Sequence, residues 1–203
     1  SLLSEMISLP SEQIIHQNVG KINVQQVHNQ RNQSILSIAS TFKDELLELY
    51  NQLNVPKAFD LSTQSIGERA LKNKCLSYLS KLGEYDIAYQ QFIKAECMTD
   101  QFGAFQCLLD YENPYRVEVI TQFYKQHQSD VQVMDKWFSA QCVSLVSSVE
   151  NVRSLMKHEL FSMTNPNRIR SVIGSFSQNS IQFHCQEGYQ LLTEVIIELD
   201  QLN

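Results

Sequence analysis

VQVMDKWFSAQCVSLVSSVENVRSLMKHELFSMTNPNRIRSVIGS, residues Val131 to Ser175, decides how the rest of the chain is read. Its apolar residues return at helical spacing, and the segments between them carry cap chemistry rather than strand alternation. Asp130 or Ser129 opens a helix over Val131–Val143. Ser147-Ser148-Val149-Glu150 matches a capping box leading into Val152, Leu155 and Met156. Asn165, before Pro166, opens a third helix over Arg168–Phe176. The stretch holds the only tryptophan, Trp137, and two arginines, Arg168 and Arg170, at i, i+2.

The same grammar extends outward. Residues 1–23 read as irregular, with Ser11 near the N-cap of a short helix and Gly20 as a break. Ile35, Ile38, Phe42, Leu46, Leu49 and Leu53 form one stripe of a helix from Val24 to Leu53, ended before Pro56. Asp60-Leu61-Ser62-Thr63 caps a second, with Ile66, Ala70, Leu71, Cys75, Tyr78 and Leu79 buried and Gly83 ending it. Shorter helices follow over Tyr85–Ala95, Asp100–Tyr111 with Thr99 as cap, and from Pro114 onward. Ser180 precedes a last helix rich in apolar residues from Tyr189 to Leu199. The expectation is an all-α chain of about nine helices in paired antiparallel hairpins. Stacked along the chain they make an irregular α-solenoid of the ARM/HEAT kind. With no clean repeat consensus, a globular bundle is the alternative. The pattern stops inside a helix at Leu199–Asn203, and Ser1 is no initiator methionine. The 203 residues are therefore expected to be a helical domain of a longer protein, truncated at its C-terminal end.

Composition limits the function. The net charge of −6 and the absence of a basic stripe argue against nucleic acid. No apolar run approaches the roughly eighteen residues of a membrane span. The five cysteines are an odd number without a CxxC pair, which reads as buried reduced thiols in a reducing compartment. His158-Glu159-Leu160-Phe161-Ser162 begins like the zinc signature HExxH, but Ser162 stands where the second histidine must be. Gly174-Ser175-Phe176-Ser177-Gln178 lacks the last glycine, and the preceding strand, of a nucleophile elbow. The chain is expected to hold no metal and no catalytic residue of its own. Trp137 and Phe138 should pack inward, with Asp135 and Lys136 holding a turn or a neighbouring helix. Arg168 and Arg170 are the best polar candidates, because a guanidinium fork suits carboxylates. At i, i+2 they diverge, so one can form a structural ion pair while the other faces a cavity.

Several ordered motifs resemble the C-terminal helical domain of bacterial aminopeptidase N, a family of zinc-dependent aminopeptidases of the gluzincin type. Val133-Met134-Asp135-Lys136-Trp137-Phe138 and Thr164-Asn165-Pro166-Asn167-Arg168-Ile169-Arg170-Ser171 are the strongest. Ser8–Glu12, Asp44–Leu47 with Tyr50, Ile66–Asn73, Cys75–Leu79 and Met98-Thr99-Asp100 precede them, and Phe183-His184 with Gly188-Tyr189 closes the series. Cys97 replaces the usual asparagine, and Gln186–Tyr189 is shorter than the family's loop. The resemblance implies a parent enzyme that removes N-terminal residues from peptides. Its zinc would be held by a catalytic domain of the same polypeptide, outside this chain. The helical domain would cap that active site and shape the substrate cavity. Arg170 would meet the prime-side end of a peptide, and Arg168 would be structural. The partners implied are the catalytic domain and peptide substrates, with neither nucleic acid nor membrane. The alternative is a free-standing helical-repeat adaptor that binds a protein partner.

Overall fold

A computed structural model of the chain describes residues 2–18, 20 and 23–202. Among them are twelve α-helices, one π-helical segment and no strand. In order they are α1 (Leu2–Met6), α2 (Glu12–Gln17), α3 (Val24–Thr41), α4 (Lys43–Leu53), α5 (Thr63–Lys81), α6 (Tyr85–Lys94) and α7 (Met98–Leu109). Then come α8 (Arg116–His127), α9 (Val131–Val143), α10 (Val149–Met156), α11 (Pro166–Ile169), the π segment Arg170–Gly174 and α12 (Gln186–Leu202). The chain divides into two compact units, Ser1–Leu108 and Leu109–Asn203. The expected termini at Ser1 and Asn203, and positions 19, 21 and 22 of the expected irregular start, lie outside the described residues.

In the first unit α5 is the central helix, packed by α1, α3, α4 and α6. Its start is fixed by chemistry: the Ser62 hydroxyl accepts the Ser65 N–H, and Asp60 accepts the Ser62 N–H and the Ser65 hydroxyl. Its end is a Schellman turn. Gly83 takes φ 87°, its N–H donates to Ser80 O, and the Glu84 N–H reaches back to Leu79 O. Leu71, Cys75, Leu76, Tyr78 and Leu79 are buried on its inner face. Ile66, expected there, is half exposed.

Several boundaries differ from the sequence reading. The start is not wholly irregular, because α1 forms and the Tyr78 hydroxyl donates to Ile7 O beside it. Ser11 does cap α2. The long Val24–Leu53 helix breaks at Phe42, whose φ −113° and ψ 28° leave the helical region. The break turns Phe42 to solvent, and the buried stripe runs instead through Ala39, Leu46 and Tyr50. Pro114 sits in a turn held by the Asn113 side chain, which accepts the Tyr115 N–H, so α8 starts at Arg116.

In the second unit α9 packs against α8, α10, α11 and the π segment. Val119, Phe123, Met134 and Phe138 are buried within it. The capping box sits one residue later than read: Ser148 is the cap of α10 and Asn151 returns the bond. Ser147 is buried instead. The last helix starts at Gln186 rather than near Ser180. Asn179 explains the delay: its amide donates to Cys142 O and Ser144 O, and its Oδ1 accepts the Ile181 and Gln182 N–H groups, fixing a turn. At Gly188 any Cβ would lie 2.1 Å from Phe183 O. Only glycine lets α12 approach that turn so closely.

Candidate functional site

The two sequence motifs that stood out meet in the second unit. Asp130 accepts the N–H groups of Gln132 and Val133 and so sets the start of α9. From that start, Trp137 and Phe138 turn inward. Trp137 is 4% exposed and donates its indole N–H to Ile120 O at 3.1 Å. Burying such a ring contributes about 2–3 kcal/mol. Tyr124 and His158 pack on it, with centroids 5.5 and 5.3 Å away. The Tyr124 hydroxyl donates to Glu159 at 2.7 Å, and that bond holds the phenol's pKa above its ordinary value.

Asn165 caps α11 by accepting from Asn167 and Arg168, with Pro166 at the first helical position. The helix lasts one turn and then widens into the π segment, where the Ser175 N–H reaches Arg170 O. π turns recur at functional sites because the extra residue redirects side chains. Three hydroxyls brace this one. Ser171 donates to Arg168 O at 2.8 Å, Ser139 donates to Ser171 O at 3.2 Å, and Ser175 donates to Ser139 at 2.9 Å. Nothing in the spacing of these serines announced the brace, since its partners lie on separate helices.

The arginines part company. Arg168 is 4% exposed and stands 2.8 Å from Asp135 of α9. Its guanidinium lies 4.9 Å over the Phe138 ring. The contact is an ion pair by distance but is not aligned as a hydrogen bond, so Nε and Nη1 of Arg168 and Oδ1 of Asp135 lack directional partners among the described residues. Arg170, two residues on, is exposed and forms no ion pair among the described residues. It is a guanidinium free to take a carboxylate.

The other candidates dissolve on inspection. His158–Phe161 is a turn, not a helix, and the His158 ring is packed against aromatics while Nδ1 accepts the Leu160 N–H. Zinc does not fit here. Among the described residues no three His, Cys, Asp or Glu side chains gather to hold a metal. Ser175 has a serine, not a histidine, as side-chain partner. The five cysteines form no disulfide, and burial pushes Cys75 up to about 11 and Cys142 to about 12. No helix among the described residues is long and apolar enough to cross a membrane.

In the first unit two further motifs meet, which sequence reasoning did not join. Lys72, from the Ile66–Asn73 motif, pairs with Asp100, from Met98-Thr99-Asp100, at 2.7 Å. Asn73 donates to the same carboxylate, and Gln91 donates to Asn73 and to Asp100 O.

Aminopeptidase N of Escherichia coli (strain K12) is 34% identical over 212 residues, spanning 100% of this chain and 24% of its own length. Aminopeptidase N of Haemophilus influenzae is 30% identical over 208 residues, with the same shares. The crystal structure of Legionella pneumophila aminopeptidase A in complex with aspartic acid superposes with a TM-score of 0.88 at 27% identity. The match covers 99% of this chain and 25% of that one. The chain thus spans about a quarter of the length of these relatives. The family model described as "Domain of unknown function (DUF3458_C) ARM repeats" matches residues 1–203, and the chain belongs to that family of helical ARM-repeat domains.

Proposed function

We propose that the chain is the helical domain of a zinc aminopeptidase that removes N-terminal residues from peptides. The observation that carries this reading is the continuous match of the whole chain to one quarter of aminopeptidase N. In this reading the chemistry resides in a catalytic domain of the same polypeptide. A zinc ion there would activate the attacking water. The described residues of this chain do not fit the metal, so its own contribution is to cap the active site and shape the cavity that admits peptides.

Arg170 is the residue proposed to touch substrate. It is exposed and without an ion pair among the described residues, and it opens a π turn braced by Ser139, Ser171 and Ser175. A peptide's C-terminal carboxylate suits its fork. Arg168 stabilises the turn from behind through Asp135 and Phe138. Five cysteines that form no disulfide suit a reducing, cytoplasmic setting for that enzyme. The test is Arg170→Ala in the intact parent polypeptide, assayed on a short peptide and on the same peptide with its C-terminus amidated. The reading expects KM to rise for the free acid and not for the amide. An equal effect on both, or none on either, removes Arg170 from the substrate site.

A further inference from the structure

We propose that Ser139 is a positioning residue for Arg170: its hydroxyl holds the segment 170–174 in π register and so fixes where the Arg170 side chain leaves the turn. The inference rests on the reading of Arg170 as the substrate contact.

Asp135 and Ser139 lie one turn apart on α9, at the i, i+4 spacing that shares a face. Each grips a residue that flanks Arg170. Asp135 stands 2.8 Å from Arg168, and the Ser139 hydroxyl donates to Ser171 O at 3.2 Å. In an α-helix a carbonyl accepts the N–H four residues on, so Ser171 O would take the Ser175 N–H. Here that N–H goes to Arg170 O, five residues back. The Ser139 hydroxyl stands in for it at Ser171 O. The same hydroxyl accepts from the Ser175 hydroxyl at 2.9 Å, which also lies 3.4 Å from Arg170 O. Ser139 therefore engages both residues whose mutual bond would restore the α register.

Without the hydroxyl, Ser171 O loses this donor in a residue that is 4% exposed. Buried acceptors are almost always paired, and the α register offers the Ser175 N–H as the replacement. Val172, Ile173 and Phe176 are buried and keep the inner side of the segment in place. A change of register by one residue turns Arg170 relative to them by about 100°. Gly174 carries the mark of the π turn. A Cβ there would lie 3.8 Å from Arg170 Cβ, closer than the roughly 5–6 Å between such neighbours in an α-helix.

The experiment compares Ser139→Ala, Ser139→Thr, Arg170→Ala and the double variant Ser139→Ala/Arg170→Ala in the intact parent polypeptide. KM and kcat are measured on a short peptide with a free C-terminus and on its amide. Ser139→Ala should raise KM for the free acid about five-fold, the scale of one lost neutral hydrogen bond. It should leave kcat, and KM for the amide, unchanged. Ser139→Thr keeps the hydroxyl and should keep the parent KM. In the Arg170→Ala background, Ser139→Ala should add nothing. A crystal structure of the Ser139→Ala polypeptide should show the Ser175 N–H on Ser171 O. A π turn unchanged in that structure, a KM rise shared by acid and amide, or a full additional loss in the Arg170→Ala background overturns the proposal. So does an unaltered KM in Ser139→Ala while Arg170→Ala still separates acid from amide, and the substrate reading then stands. If Arg170→Ala does not separate them, the substrate reading fails and this inference falls with it.

Discussion

Asp135 of α9 and Arg168 of α11 stand 2.8 Å apart, and this pair ties the Trp137 helix to the turn that presents Arg170. Arg168 is almost fully buried while the Asp135 side chain is 23% exposed. Removing the carboxylate strands a cation inside the unit. Asp135→Ala should therefore cost about 3 kcal/mol, the lower end for breaking a buried pair. The double variant Asp135→Leu/Arg168→Met should recover most of that loss, since two apolar groups need no partners. Urea denaturation of the parent chain, Asp135→Leu, Arg168→Met and the double variant measures the coupling directly. Additive losses would show that the pair is not coupled.

Arg170 should behave in the opposite way. Exposed and unpaired, it should change stability by no more than about 0.5 kcal/mol when replaced by alanine. Its effect belongs in substrate binding. Losing a charge-assisted hydrogen bond of about 1.5–3 kcal/mol should raise KM for a carboxylate-bearing peptide at least tenfold or so in the parent enzyme. Paired melting curves and steady-state kinetics separate the two arginines. If Arg170→Ala melts like Asp135→Ala, the division of labour between Arg168 and Arg170 is wrong.

Two glycines in the second unit give a contrast. A methyl at Gly188 would collide with Phe183 O at 2.1 Å, and a backbone carbonyl cannot swing aside. Gly188→Ala should cost at least about 2 kcal/mol, within the range for overpacking. At Gly174 the nearest atom is Arg170 Cβ at 3.8 Å, an ordinary contact. Gly174→Ala should be neutral, or stabilise by up to about 1 kcal/mol through the backbone entropy saved. Chemical denaturation distinguishes them, and a Gly188→Ala as stable as the parent chain would contradict the packing of α12 on the 179–183 turn.

The buried thiols make stability fall at alkaline pH. Burial raises Cys75 to about 11 and Cys142 to about 12, from an ordinary 9.0. Tyr50 is likewise raised by burial, from 10.0 to about 12. Below pH 9 folded and unfolded states hold the same thiol protons, and this contribution is fully present. Above it the unfolded thiols ionise and the folded ones do not, so unfolding binds hydroxide and stability drops as pH climbs toward 11 and 12. Melting temperature should be flat in this respect to pH 9 and decline beyond it, less steeply in Cys142→Ala. Iodoacetamide at pH 8 should modify half-buried Cys97 and Cys185 well before Cys75, Cys107 and Cys142.

Much of this was legible because caps are local. Ser62, Asp130 and Asn165 announced their helices from three or four neighbouring residues, and their hydroxyl, carboxylate and carboxamide oxygens do bond the expected N–H groups. The all-α, ARM-repeat class followed from helical spacing and agrees with the family match. Position along the chain was less legible where a distant side chain decides it. Asn179 delays α12 by bonding Cys142 O and Ser144 O, and no local pattern reveals that reach. Phe42 continued an apolar stripe by count, yet its backbone leaves the helix there, so periodicity alone overran the break. The divergence of Arg168 and Arg170 was readable from i, i+2. The choice of Asp135 as partner for Arg168, and the joining of Lys72 with Asp100, required the fold.

The central claim is that these 203 residues serve as one domain of a larger aminopeptidase. The most direct measurement is the size of the native polypeptide, taken from a lysate of the source organism with an antibody raised against this chain. The account predicts a band about four times 23.4 kDa, as the quarter-length match to aminopeptidase N requires, and peptidase activity that is depleted with it. A single band at 23.4 kDa, with activity left in the supernatant, would contradict it and favour a free-standing helical-repeat adaptor.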